Sequence, residues 1–168
     1  MVARVRHGYE KFLEAIAFVL MVALAAVVTA GVVFRWAGES LVWYDEVASI
    51  LLAWITFYGA ALAALRGSHI GVPGLVDLLP RPLRVAAVVF TEACVIGFFG
   101  LMAWIGISVL DVLATDYLVS IPEVSVMYTQ SVIPIGATLF VISELLRLPE
   151  LLRAAADGPA ARAAEVNL

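Results

Sequence analysis

The sequence predicts an all-α membrane protein with four transmembrane helices. Long apolar stretches recur four times in 168 residues, of which 64% are hydrophobic and only 14% charged. A soluble domain carries roughly 25% charged residues, so the excess apolar surface must face lipid or another membrane protein. The basic residues fall on alternate connections between these stretches, which is typical of a multi-pass membrane protein.

The four apolar stretches are long enough to cross the hydrocarbon core, which takes about 20 helical residues. Each stretch is continuous rather than alternating, and this favours helices over barrel strands. Helices are predicted at about 12–36, 42–66, 84–113 and 122–147. The first stretch exceeds the roughly 7–15 apolar residues of a signal peptide, so we expect it to remain as an uncleaved span.

The positive charges predict the orientation of the helices. Nine of the ten Lys and Arg residues precede the first span, lie between the second and third, or follow the fourth. By the positive-inside rule, both termini and the middle loop are expected in the cytoplasm. The opposite face is predicted to be acidic and carries Glu39, Asp45, Glu46, Asp111, Asp116 and Glu123.

Three further features concern the connections. Between the second and third spans, Pro73 is predicted to begin a short interfacial helix that ends before Pro80. The segment from Ser120 to Glu123 resembles a helix start, and Pro134 is expected to kink the fourth helix. A single membrane domain is predicted over 1–152, followed by a flexible cytoplasmic tail over 153–168.

Glu92 is the ionisable residue that the sequence places well inside a span. An acid in hydrocarbon costs several kcal/mol unless it is paired, protonated or near water. Glu92 lies eight residues after Arg84, so pairing with Arg84 or another chain and a role as a proton or ion site are both open. Glu14, at the edge of the first span, is expected to be solvated or paired with Lys11.

The residue types argue against an enzyme or a cofactor protein. The two histidines, His7 and His69, lie outside the spans, where they could not ligate a haem between helices. The single cysteine, Cys94, excludes a cysteine pair within one chain. We therefore expect no catalytic residue, metal, cofactor or nucleic-acid partner. Small residues four apart, such as Gly59 and Ala63, are suited to close helix approach and indicate a partner-binding subunit.

Several motifs resemble one transporter family. They are Trp43-Tyr44-Asp45-Glu46 at the start of the second helix, Gly59-Ala60 within it, Arg66-Gly67-Ser68-His69-Ile70-Gly71-Val72 after it, and Tyr128 and Pro134-Ile135-Gly136 in the fourth. Their order and spacing resemble the small membrane subunit, of DctQ type, of tripartite ATP-independent periplasmic (TRAP) transporters. The resemblance covers about residues 9–152.

This resemblance implies a place in a three-part transporter of the bacterial inner membrane. The small subunit would pair with a large permease subunit that binds substrate and moves as an elevator. A periplasmic substrate-binding protein would deliver an organic acid, and an ion gradient, usually of sodium, would drive uptake. The small subunit would be a static scaffold and would not itself bind the substrate.

Two interface hypotheses follow, together with one rival function. Trp43, Asp45 and Glu46 are predicted to contribute to the outer surface near the docking site. Arg66 and His69 are predicted to hold lipid phosphate or loops of the large subunit, although Arg66 could equally serve only to set the topology. The rival function is a homodimeric proton-coupled small multidrug exporter, in which Glu92 or Glu14 would be the shared site.

Overall fold

A computed structural model describes residues 2–68 and 79–157 of the chain. Its helices are α1 (Val2–Trp36), α2 (Tyr44–Arg66), α3 (Arg81–Leu113), α4 (Val126–Gln130) and α5 (Val132–Asp157). Within these residues four helical segments, with α4 and α5 taken as one, are long and apolar enough to cross a membrane. The predicted four-span, all-α fold is confirmed. The predicted interfacial helix and the tail beyond Asp157 lie outside the described residues.

The helices pack in the order α1, α2, α5, α3, so that α2 and α5 are central and α1 and α3 are outermost. Fully buried side chains come from α1, α2 and α5, among them Leu13, Ala61 and Val132. Aromatic rings join the third helix to this core, because Phe99 of α3 stacks on Phe140 of α5 with ring centroids 3.9 Å apart. The core is therefore a thin seam along α5, and most of α1 and α3 faces outward.

The start of the fourth span differs from the prediction. The segment from Ser120 to Glu123 is not a helix start but part of a loop, in which the Val124 amide donates to the Ile121 carbonyl at 3.0 Å. The helix begins at Val126, where the Ser125 hydroxyl caps it by accepting from the Met127 amide. Ser125 provides the capping oxygen next to the first helical residue, while Pro122 is accommodated in the preceding turn.

The fourth span is interrupted three residues before Pro134, for which the sequence predicts a kink. The fourth span is broken at Ser131, between α4 and α5. Proline has no N–H to donate to the Gln130 carbonyl four residues earlier, so the regular hydrogen-bond ladder is interrupted at this turn. The second part of the span then runs to Asp157, ten residues beyond the predicted end.

The two ends of the bundle are defined by contacts between helices. At one end Arg6 of α1 forms an ion pair with Glu150 of α5, and the Arg84 guanidinium of α3 donates to the Ala155 carbonyl at 2.6 Å. At the other end Arg35 of α1 donates to the Tyr44 hydroxyl of α2. The start of α1, the end of α2, the start of α3 and the end of α5 therefore share one end of the molecule, hereafter the basic end.

Candidate functional site: two polar ends and a carboxyl pair

At the end opposite to the basic end, Glu46 holds a loop in place. Glu46 lies in the first turn of α2, and its carboxylate accepts hydrogen bonds from the amides of Val119 at 3.2 Å and Ser120 at 2.9 Å. The Ser120 hydroxyl also donates to it. The loop is closed further by an antiparallel bridge between Tyr117 and Ser125. Glu46 thus fixes the connection between α3 and α4 against the start of α2.

The neighbouring predicted residues have different surroundings. Trp43 and Asp45 are both exposed, in contrast to the half-buried Glu46. A depression of about 330 Å³ lies beside them, lined by Val42, Asp45, Glu46, Ser49, Val119 and Ser120. The structure therefore places Asp45 and Glu46 on one surface, where Glu46 is committed to contacts within the chain and Asp45 is accessible.

At the basic end, Arg66 joins α2 to α1. Its Nε donates to Glu10 at 2.8 Å, and its guanidinium also forms an ion pair with Glu14. Glu14 is in turn paired with Lys11 at 2.8 Å, as the sequence predicted. Arg66 is thus part of a network of ion pairs between two helices. His69, predicted to act with it, lies outside the described residues.

Gly59 does not pack closely against another helix of this chain. A β-carbon at Gly59 would meet no atom within 4 Å, and the same holds for Gly97 on α3. Close approach occurs at other glycines: a β-carbon at Gly136 of α5 would lie 2.6 Å from that of Phe57 on α2. Gly59 therefore leaves open space on an outer face, while Gly136 sets the spacing of the central pair of helices.

Glu92 interacts with an acid of α5 rather than with Arg84, and its role as a proton or ion site stays a prediction. The Glu92 carboxyl group interacts with that of Glu144 on α5, on which Arg147 also acts, and the Oε2 atom of each acid is buried. Among the described residues Arg84 forms no salt bridge with Glu92, because its guanidinium is directed to Ala155 instead. The sequence interpretation missed Glu144 because it follows directly on the apolar stretch 124–143 and therefore resembles a residue of the membrane edge.

Within the described residues, no group of three or more His, Cys, Asp or Glu side chains is arranged to hold a metal ion. The polar groups instead tie helices and loops to one another at the two ends of an apolar bundle. Such an arrangement stabilises the position of four membrane helices and leaves two of them largely uncovered.

A membrane bundle of this kind belongs to the class of small integral-membrane subunits, and comparison with known proteins gives the family. Residues 24–154 match the family model of the DctQ component of tripartite ATP-independent periplasmic transporters. The chain belongs to this family and is a small permease component of a TRAP transporter, in a multi-pass inner-membrane arrangement. The resemblance carried by the motifs around Trp43, Gly59 and Arg66 is thereby confirmed.

Individual relatives come from several transporters. The sialic acid TRAP transporter small permease protein SiaQ of Vibrio cholerae is 27% identical over 141 residues, which are 83% of this chain and 81% of the relative. The ectoine TRAP transporter small permease protein TeaB of Halomonas elongata is 43% identical over 86 residues, 48% of this chain and 45% of the relative. The C4-dicarboxylate small permease protein DctQ of Pseudomonas aeruginosa is 35% identical over 65 residues, 38% of this chain and 30% of the relative.

Proposed function

We propose that this chain is the static scaffold of its transporter and holds the large permease subunit during ion-gradient-driven uptake of an organic acid. Sodium is the proposed coupling ion, and a periplasmic binding protein is the proposed donor of the substrate. The relatives are named for sialic acid, ectoine and C4-dicarboxylates, so membership of the family leaves the individual substrate open.

The observation that carries this proposal is the large apolar surface on the two outermost helices. No residue in the most apolar window of α3 is buried by the rest of the described chain, and only 6% of that of α1 is buried. Large side chains such as Phe90, Trp104 and Val112 are 70% to 75% exposed. A bundle with so little covered surface is suited to lie between lipid and a larger membrane partner.

Open glycines on α2 and α3 support a close contact with another helix. Gly59, Gly97 and Gly100 have no atom within 4 Å of where a β-carbon would lie. Small residues in membrane helices allow another backbone to approach closely. We therefore propose Gly59 as part of the surface that receives a helix of the large subunit.

We also propose that the outer surface around Trp43 and Asp45 takes part in docking the binding protein. Asp45 is accessible, and Trp43 is suited to the headgroup region. Glu46 acts indirectly here, by holding Val119 and Ser120 beside Asp45. Asp45→Lys should lower uptake while leaving assembly with the large subunit intact. The matched control is Glu39→Lys in the same connection, and equal uptake by both variants would contradict the docking role.

At the basic end, Arg66 and His69 are proposed to contact lipid phosphate or loops of the large subunit. The Arg66 side chain is 44% exposed even though Glu10 and Glu14 bind it, so part of the guanidinium is still accessible. Alanine at both positions should reduce the lipid or partner that is retained on purification. Normal retention would restrict Arg66 to joining α1 and α2 and to setting the topology.

Both termini are proposed to lie in the cytoplasm, because the basic residues gather at the end of the bundle that carries them. The multidrug exporter alternative needs a carboxyl group near the bilayer centre of a homodimer. Membership of the TRAP family does not favour it. The two functions predict different complexes on gentle extraction: a hetero-complex with a large permease for the scaffold, and a homodimer for the exporter.

A further inference from the structure

Two acids with buried oxygen atoms, Glu92 on α3 and Glu144 on α5, lie where these helices pack. Glu144 is only 4% exposed, and its carboxyl group interacts with that of Glu92. One oxygen of each group, the Oε2 atom, is buried and has no hydrogen-bond partner among the described residues. Two carboxylates have no proton to donate to each other, so these two oxygens are unsatisfied whenever both groups are ionised.

The charges around the pair do not balance when both acids are ionised. Arg147, one helical turn after Glu144, is the cation that acts on it. The Arg147 guanidinium also lies against Gly67, since a β-carbon there would meet its nitrogens at 2.6 and 2.9 Å. Two carboxylates and one guanidinium leave one negative charge within the bundle, and an uncompensated charge there is costly.

Among the described residues, no cation of α1 or α2 acts on Glu144, and Arg6 of α1 is directed instead to Glu150 and the Leu65 carbonyl. From α1, the Tyr9 hydroxyl lies 3.5 Å from that of Ser143, which precedes Glu144. From α2, the buried Tyr58 interacts with Tyr9. A metal cation is disfavoured because Arg147 already supplies positive charge beside the pair and would repel it.

We propose that Glu92 and Glu144 form a proton-binding site that holds one shared proton and fastens α3 to α5. The proton sits on one Oε2 atom and is donated to the other, which satisfies both buried oxygens. It also makes the cluster of Glu92, Glu144 and Arg147 neutral. Two interacting buried acids share one proton when like charges so close together are not both ionised.

The site makes the packing of α3 against α5 depend on pH. Because the folded pair keeps a proton that the same groups lose when exposed to water, raising the pH favours loss of the folded arrangement. The helix affected is α3, whose main contacts in the bundle are with α5. This inference is independent of the proposed scaffold function, since it concerns one seam of the chain by itself.

The test uses the full chain in lipid nanodiscs, with thermal unfolding measured from mildly acidic to mildly alkaline pH. The wild-type midpoint should fall as the pH rises. Glu144→Gln and Glu92→Gln each place an amide donor where the proton was, so both should unfold at midpoints that change little with pH. Glu150→Gln is the control, because Glu150 is an exposed acid of the same helix, and it should keep the wild-type dependence.

Infrared difference spectra provide a second readout, whose main result comes from the wild-type protein itself. The wild-type protein at neutral pH should show the carbonyl band of a protonated carboxyl group, and Glu144→Gln should remove it. Two ionised carboxylates at neutral pH would overturn the proposal, as would a pH dependence that survives both glutamine variants. A wild-type midpoint that rises with sodium at constant pH would assign the site to a cation and would also overturn it.

Discussion

Glu46 holds the loop between α3 and α4 through hydrogen bonds from Val119 and Ser120. An acid in the first turn of a helix is also favoured by the helix dipole, so its charged form is suited to accept from several donors at once. Glu46→Gln removes the charge and one acceptor, and the Val119 and Ser120 amides should then exchange with solvent several-fold faster. Hydrogen exchange followed by mass spectrometry measures this. Asp45→Asn is the control, and equal exchange in both variants would contradict the role given to Glu46.

Gly136 is crowded and Gly59 is open, so substitutions at these two glycines distinguish an effect on the fold from an effect on a partner interface. Gly136→Ala forces a β-carbon to within 2.6 Å of Phe57, and overpacking of this kind costs about 1–3 kcal/mol. The β-carbon of Gly59→Ala would meet no neighbouring atom within 4 Å among the described residues, so the variant should not lower the unfolding midpoint of the isolated chain. Thermal unfolding in nanodiscs compares the two variants. A Gly59→Ala chain as unstable as Gly136→Ala would contradict the packing described here.

Gly59→Ala should act on the complex rather than on the chain. If Gly59 receives a helix of the large subunit, its substitution should reduce the amount of large subunit that co-purifies. Gly8→Ala is a suitable control, because Gly8 also has open space around it but lies before the apolar stretch of α1. Unchanged yield of the partner with Gly59→Ala would remove Gly59 from the proposed interface.

At the scale of elements, composition and charge spacing were sufficient to predict the helices but not their ends. The first helix begins at Val2 rather than near residue 12, because polar residues outside the bilayer still find partners on neighbouring helices. The fifth helix continues to Asp157 for a similar reason, since Arg84 of α3 binds its Ala155 carbonyl. Such contacts between distant residues have no signature in local sequence.

The candidate site was predictable to the same limited degree. The apolar stretches single out Glu92 because it interrupts one of them, whereas Glu144 stands at the margin of another and gives no such signal. The partner of Glu46 was equally hidden, because Ser120 looks locally like a helix cap. The packing of the helices decides which loop Glu46 binds, and the spacing of charges along the sequence does not predict it.

The break between α4 and α5 gives a prediction at the element scale. Pro134→Ala restores an N–H that can donate to the Gln130 carbonyl, so the two helices should become continuous and amides at 131–133 should exchange more slowly. Pro149→Ala, a proline substitution elsewhere in α5, is the control and should leave exchange at 131–133 unchanged. Unaltered exchange in Pro134→Ala would mean that packing, rather than the missing donor, sets the break.

At the scale of the whole molecule, the arrangement of the ends predicts a definite topology. In a Cys94→Ala background, a cysteine at Ser40 or Thr115 should react with a membrane-impermeant maleimide in intact spheroplasts. A cysteine at Ser68 should react only after the membrane is opened, because Ser68 lies at the basic end. Labelling of Ser68→Cys in intact spheroplasts would reverse the proposed orientation.

The central claim is that this bundle is a scaffold for a larger membrane subunit. The claim rests on the uncovered apolar surfaces of α1 and α3. The most direct measurement is to tag the chain in its native operon, extract it gently, and identify what co-purifies in stoichiometric yield. The account predicts a large multi-span permease in a one-to-one ratio. A homodimer without any such partner would contradict it.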